Sequence, residues 1–85
     1  PDRMGKLKNL KRLYLTYNKL TSLPGRIGDL ENLHWLNLHG NQLTTLPDSI
    51  RTLTNLVELY LDDNQLSQEQ VAAIWKMVPE RCRII

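Results

Sequence analysis

The sequence has a single cysteine, Cys82, and no phenylalanine. One cysteine cannot close an internal disulfide, so this is not a disulfide-stapled framework. No Asn-x-Ser/Thr triplet offers a glycosylation acceptor. No apolar run approaches the roughly 18 residues of a membrane-spanning helix, and no signal peptide is recognisable. Charge of neither sign dominates: 11 Lys and Arg face 9 Asp and Glu, for a net charge of +2. A specific nucleic-acid binder shows a basic stripe. Here the one basic excess is Arg3, Lys6, Lys8, Lys11 and Arg12 against Asp2, and these alternate with apolar residues as solvated positions do. The composition therefore argues against nucleic-acid and membrane partners.

Catalytic and metal patterns are also missing. There is no Cys-x-x-Cys and no His-Glu-x-x-His. His34 and His39 are five apart on an extended segment, which puts them on opposite faces. Ser22, Ser49 and Ser67 fall in turns or at a cap with no histidine in register beside them. The four glycines are scattered and form no phosphate loop. The expectation is a non-enzymatic chain with no cofactor and no metal.

What the chain has is leucine, at a fixed period. Shifted by 23 residues, Leu10, Leu33 and Leu56 align, as do Leu13, Leu36 and Leu59, and Leu15, Leu38 and Leu61. Asn18, Asn41 and Asn64 coincide, followed by Leu20, Leu43 and Leu66. Leu23-Pro24 matches Leu46-Pro47, Ile27 matches Ile50, and Leu30 matches Leu53. Asn9, Asn32 and Asn55 also coincide. Self-similarity at such a period signals stacked units that share one core. Within each unit, L-x-L reads as a short strand with leucines on one face. The repeated Asn fits a turn, where its amide satisfies backbone groups that the bending chain leaves unpaired. Stacked, Asn18, Asn41 and Asn64 form a structural ladder.

The strings "LKRLYLTYNKLTSLP", "LHWLNLHGNQLTTLP" and "LVELYLDDNQLSQEQ" resemble the leucine-rich repeats, in the 23-residue class L-x-x-L-x-L-x-x-N-x-L-x-x-L-P-x-x-I-x-x-L. The resemblance covers residues 1 to about 66. It implies an α/β solenoid, with a short parallel sheet on the concave face and irregular or 3-10 turns on the convex face. It also implies partners that are usually proteins, small GTPases among them in some intracellular members. This class is found in plant Ras-group-related, Scribble-like and many bacterial proteins. Without the cysteine-rich caps common in extracellular members, the resemblance points to an intracellular or bacterial setting.

Residues 1–66 are read as the repeats: a partial unit 1–9, then units starting near 10, 33 and 56. Pro1 and Met4 take the slots of Pro24 and Ile27, so the chain is expected to begin inside a repeat. That leaves an uncapped N-terminal end that another repeat or a second copy could cover by self-association. Residues 67–85 are read as a C-terminal cap. Ser67 with Gln70 suggests a capping box, a helix is expected over about 68–78, and Pro79 stops it. Val71, Ile74, Trp75 and Val78 form its apolar stripe, with Trp75 expected to cover the last leucine layer. A final strand over about 81–85 is expected in the same 23-residue register, placing Cys82 after Leu59 and Ile84 after Leu61, both inward.

The same register assigns the outward columns. Arg12, Trp35, Glu58 and Arg81 form one, Tyr14, Asn37, Tyr60 and Arg83 the next, and Thr16, His39, Asp62 and Ile85 the third. Tyr17, Gly40 and Asp63 lie at the rim, while Arg26, Asp29, Glu31, Asp48 and Arg51 make a solvated convex side. Trp, Tyr and Arg are enriched at interaction hot spots. The candidate partner-binding residues are therefore Arg12, Tyr14, Trp35, Asn37, His39, Glu58, Tyr60 and Asp62, contacting a protein partner. The competing reading is that Trp35, Tyr14 and Tyr60 only pack on one another across the strands. A further alternative is a structural cap of a longer repeat protein whose recognition surface lies upstream.

Overall fold

The computed structural model describes residues 8–85. The partial unit around Pro1 and Met4 lies outside them. Four short strands, β1 (Arg12–Tyr14), β2 (Trp35–Asn37), β3 (Glu58–Tyr60) and β4 (Arg83–Ile84), pair in parallel in that order. Each of the first three is followed by a turn and a return path on the opposite side. The first two return paths contain 3-10 segments, Gly25–Asp29 and Asp48–Thr52. The third is the helix α1 (Gln68–Met77).

Each element has a local cause. In β1, β2 and β3 the middle leucine turns inward and its neighbours turn out, because side chains alternate along an extended chain. Pro24 and Pro47 hold φ near −70° before the 3-10 segments, at −68° and −70° respectively, and Ile27 and Ile50 drop into the core one turn later. Ser67 caps α1: its hydroxyl accepts the Gln70 N–H at 3.2 Å. The reciprocal half of a capping box is not made. The Gln70 side chain instead accepts from Thr45 Oγ1 at 2.8 Å, tying the cap to the preceding unit.

The core is a stack of leucine layers. Leu33, Leu36, Leu38, Leu43, Leu53, Leu56 and Leu59 are fully buried, whereas Leu10, Leu13, Leu15 and Leu20 are only partly so. The inner layers have a described unit on both sides and the first has one on one side only.

Two expectations about the cap are corrected. Trp75 does not cover the last layer; it is 51% exposed. Ile74, Val78 and the partly buried Met77 do the covering. Those three lie on one i, i+3, i+4 row, and Trp75 is a 100° step off it. The register of β4 also differs: Glu58 pairs with Arg83 and Leu59 with Ile84, a step of 25 residues, against the 23 from Leu36 to Leu59. A helix rises about 1.5 Å per residue, against about 2 Å in a 3-10 turn and 3.3 Å in extended chain, so the helical return consumes more residues over the same span. Arg83, not Arg81, therefore stands beside Glu58. Arg81 donates to the Thr54 carbonyl at the strand entry, and Ile85 sits beside β3 rather than beside Asp62: its N–H reaches the Leu59 carbonyl and its own carbonyl takes the Leu61 N–H. Cys82 is buried at that entry, and Ile84 is inward and partly buried.

Candidate functional site

Strand pairing puts Arg12 beside Trp35 and Trp35 beside Glu58, and it puts Tyr14 beside Asn37 and Asn37 beside Tyr60. Pleating sends all six outward. They line one open depression of about 270 Å³ on the sheet face.

Its chemistry is uneven from strand to strand. The Arg12 guanidinium lies over the Trp35 ring, 4.7 Å from its centroid. Such stacking suits a planar, weakly hydrated cation. His34 approaches the Trp35 ring at 5.6 Å. Trp35 is thereby half-buried rather than bare, and among the described residues it makes no ring contact with Tyr14 or Tyr60. The purely aromatic cluster considered above is not what forms. Tyr14 is 60% exposed.

On β3, both carboxylate oxygens of Glu58 are engaged. The Tyr60 hydroxyl donates to Oε1 at 3.0 Å, and Arg83 Nη1 approaches Oε2 at 3.4 Å. Donating to that carboxylate raises the Tyr60 pKa above its usual value, with partial burial adding to it. The Asn37 side-chain oxygen accepts the His39 N–H at 3.1 Å, which leaves its amide NH₂ without a partner among the described residues.

Beyond the depression a second cluster crosses the rim. Tyr17 Oη meets His39 Nε2 at 2.8 Å, with the two rings edge to face at 5.0 Å. On the far side of the same ring, His39 Nδ1 is 2.8 Å from Asp62 Oδ2. That contact has ion-pair distance but misses hydrogen-bond direction, so Nδ1 counts as a buried nitrogen without a proper partner. Tyr17, Gly40 and Asp63 occupy one repeat position, and all are left-handed, with φ of 56°, 75° and 59°. At Gly40 a Cβ would meet the Tyr17 ring at 2.6 Å. The glycine therefore both adopts that φ and makes room for the ring.

The asparagines sit behind this face. The Asn41 side-chain oxygen accepts the N–H groups of Asn18 (2.9 Å) and Leu20 (3.0 Å), and its amide donates to the carbonyls of Leu15 and Leu38 (both 2.9 Å). Asn64 accepts the Leu43 N–H and donates to Leu38 and Leu61. Among the described residues, the Asn18 side chain holds only the Thr16 carbonyl, at 3.2 Å. A second, exposed rail runs parallel: Asn32 donates to the Lys8 carbonyl and Asn55 to that of Glu31. The sequence showed that coincidence without its meaning. It gave no sign of Gly28, where a Cβ would meet Thr52 Oγ1 at 2.6 Å and the Ser49 carbonyl at 2.7 Å.

Among the described residues, no three His, Cys, Asp or Glu side chains gather as a metal would need. No helix among them is long and apolar enough to cross a membrane. Cys82 is buried, and burial, with the Glu58 charge adding to it, pushes its thiol pKa up, away from nucleophilic use.

Comparisons with known proteins agree with this geometry. A family model described as leucine rich repeat matches residues 8–66. A solved leucine-rich-repeat protein from Leptospira interrogans superposes with a TM-score of 0.92 at 45% identity over 100% of this chain. The chain spans 21% of the length of that protein. No curated protein matches.

Proposed function

The chain belongs to the leucine-rich-repeat family, and from that premise we propose that it is a non-enzymatic interaction module whose concave sheet face binds a protein partner. One observation carries the reading. Arg12, Tyr14, Trp35, Asn37, Glu58 and Tyr60 converge on a single open depression, and the fold needs none of their side chains for its core. Trp, Tyr and Arg are enriched at the hot spots of protein interfaces. His39 and Asp62 extend the same face toward the rim.

The test is alanine substitution of Trp35 and Tyr60, with circular dichroism to show that the fold persists. Capture from a lysate of the source cell by the wild-type chain, lost in the double variant, supports the reading. Capture that is equal for both sinks it.

A second reading is a structural cap of a longer repeat protein, with recognition upstream. It is favoured by the helix that replaces a 3-10 return and by the partly buried first leucine layer, a surface suited to another unit or a second copy. Sedimentation velocity discriminates. A monomer at all concentrations weakens it, and association abolished by Leu13→Glu supports it.

A further inference from the structure

The depression is chemically one-sided. Its single acid, Glu58, has both oxygens occupied, one by Tyr60 and one by Arg83. The Asn37 oxygen is likewise taken by the His39 N–H. Among the described residues, the lining groups left without a hydrogen-bond partner include three donors: the Arg12 guanidinium, the Asn37 amide NH₂ and the Tyr14 hydroxyl. Among the described residues no carboxylate pairs with Arg12. Its guanidinium carbon sits 4.7 Å over the centroid of the Trp35 ring, a contact that restrains the group before anything binds. Lys8 and Lys11, both exposed and close in sequence to Arg12, add to the positive charge of this segment.

Resting on the concave-face reading, we propose that the partner enters this depression with an aspartate or glutamate carboxylate, which Arg12 takes with both N–H edges while Asn37 and Tyr14 supply further donors. The depression, about 270 Å³, has room for one such side chain. Trp35 and Tyr60 flank its methylenes. A protein carboxylate fits better than a phosphate: one fixed guanidinium matches a planar two-oxygen anion, whereas phosphate sites commonly gather several cations or a row of backbone N–H groups. Here the neighbouring cation Arg83, which is outside the lining, is already paired with Glu58.

Random twelve-residue peptides displayed on phage, selected on the immobilised 85-residue chain, provide the probe. Selection in parallel on Trp35→Ala and on Arg12→Gln separates the two claims. The expected result is binders that depend on Trp35 and carry Asp or Glu at one enriched position, with that enrichment gone on Arg12→Gln. A synthetic lead peptide is expected to lose about tenfold or more in affinity on Glu→Gln exchange, as for a charged hydrogen-bonded pair, and to weaken with added salt. Arg12→Lys is expected to recover only part of the loss, since it keeps the charge without the stacked fork.

Trp35-dependent binders with no acidic position overturn the carboxylate proposal and leave the concave-face reading standing. Binders indifferent to both Trp35→Ala and Tyr60→Ala overturn both. A lead whose phosphoserine version binds more than tenfold tighter than its glutamate version overturns the choice of carboxylate over phosphate.

Discussion

Replacing the three ladder asparagines by alanine, one at a time, should produce a graded loss of stability set by how many backbone groups each leaves without a partner. Asn41→Ala removes partners from the Asn18 and Leu20 N–H groups and from the Leu15 carbonyl. The Leu38 carbonyl keeps Asn64. Three groups are orphaned. A buried unsatisfied group costs ~1–3 kcal/mol, and the low end applies because these are part-buried, giving about 3 kcal/mol. Asn64→Ala orphans two, the Leu43 N–H and the Leu61 carbonyl, for about 2 kcal/mol. Asn18→Ala frees only the exposed Thr16 carbonyl, for roughly 0.5 kcal/mol or less. At roughly 0.05–0.15 kcal/mol per residue the whole chain is worth about 4–13 kcal/mol, so the Asn41 loss alone removes a quarter of it or more. Urea titration followed by far-UV circular dichroism reads it. With m near 1–3 kcal/mol/M, the Asn41→Ala midpoint should fall by about 1–3 M. Asn41→Asp keeps both acceptors but sets a carboxylate against two carbonyls, so at neutral pH it should cost at least as much. Equal losses for Asn18→Ala and Asn41→Ala would refute the reasoning, because Asn41 is both buried and the more heavily bonded of the two.

Gly28→Ala should destabilise by about 1–3 kcal/mol, since its Cβ meets the Ser49 carbonyl at 2.7 Å and backbone cannot yield cheaply. Gly25→Ala, with nothing within 4 Å of its Cβ, is the neutral control in the same thermal melts. Ile74→Ala should cost about 2–5 kcal/mol as a core truncation. Trp75→Gln should stay within about 0.5 kcal/mol as a surface change; a large Trp75 loss would restore the tryptophan as the cap. Alkaline titration tests the Tyr60–Glu58 bond. In a Tyr14→Phe, Tyr17→Phe background, absorbance near 295 nm reports Tyr60 alone, and Glu58→Gln should lower its pKa toward the ordinary tyrosine value near 10. Because the folded pKa is raised, this bond's contribution to stability is complete below the unfolded tyrosine pKa and fades as pH climbs through the folded one. An unchanged pKa in Glu58→Gln would mean the bond is absent in solution.

Periodicity made most of the fold legible. A leucine recurring every 23 residues has to share one layer with its counterparts, and Asn41 and Asn64 sit where the turn must find donors and acceptors. The cap's start was legible because Ser67 is a local signal. Its inner face was not. Val71, Ile74, Trp75 and Val78 make a stripe too wide to bury whole, and sequence does not say which row meets the core. The shift of β4 to a step of 25 was hidden for a similar reason, since only the path length of a helical return sets it. Gly28 escaped because its need is a contact with the next unit, which a single repeat cannot show. The columns of the candidate site came directly from the register, and with them Arg12 beside Trp35. What the columns could not show is how each group is spent: Glu58 on Tyr60 and Arg83, His39 between Tyr17 and Asp62. One signal for the rim was present, a glycine at 40 in register with the bulky Tyr17.

This spending of groups changes how substitutions on the face must be read. Glu58 is harmless to an acidic partner only while Tyr60 and Arg83 hold its oxygens. Removing either leaves negative charge facing the depression. Tyr60→Phe keeps the ring and its contact area, and Arg83→Gln alters a side chain that is 72% exposed and does not line the depression. Both should weaken a carboxylate ligand without removing a contact to it. Glu58→Gln should relieve the loss in either background, because the neutral amide has no charge to expose. Trp35→Ala differs in kind: it removes an apolar wall and also frees Arg12, so its effect mixes contact with preorganisation. If Tyr60→Phe and Arg83→Gln left acidic binding unchanged while Trp35→Ala abolished it, the face would be recognising shape through its aromatic wall. The guanidinium would then be an ornament on Trp35 rather than the group that reads the partner.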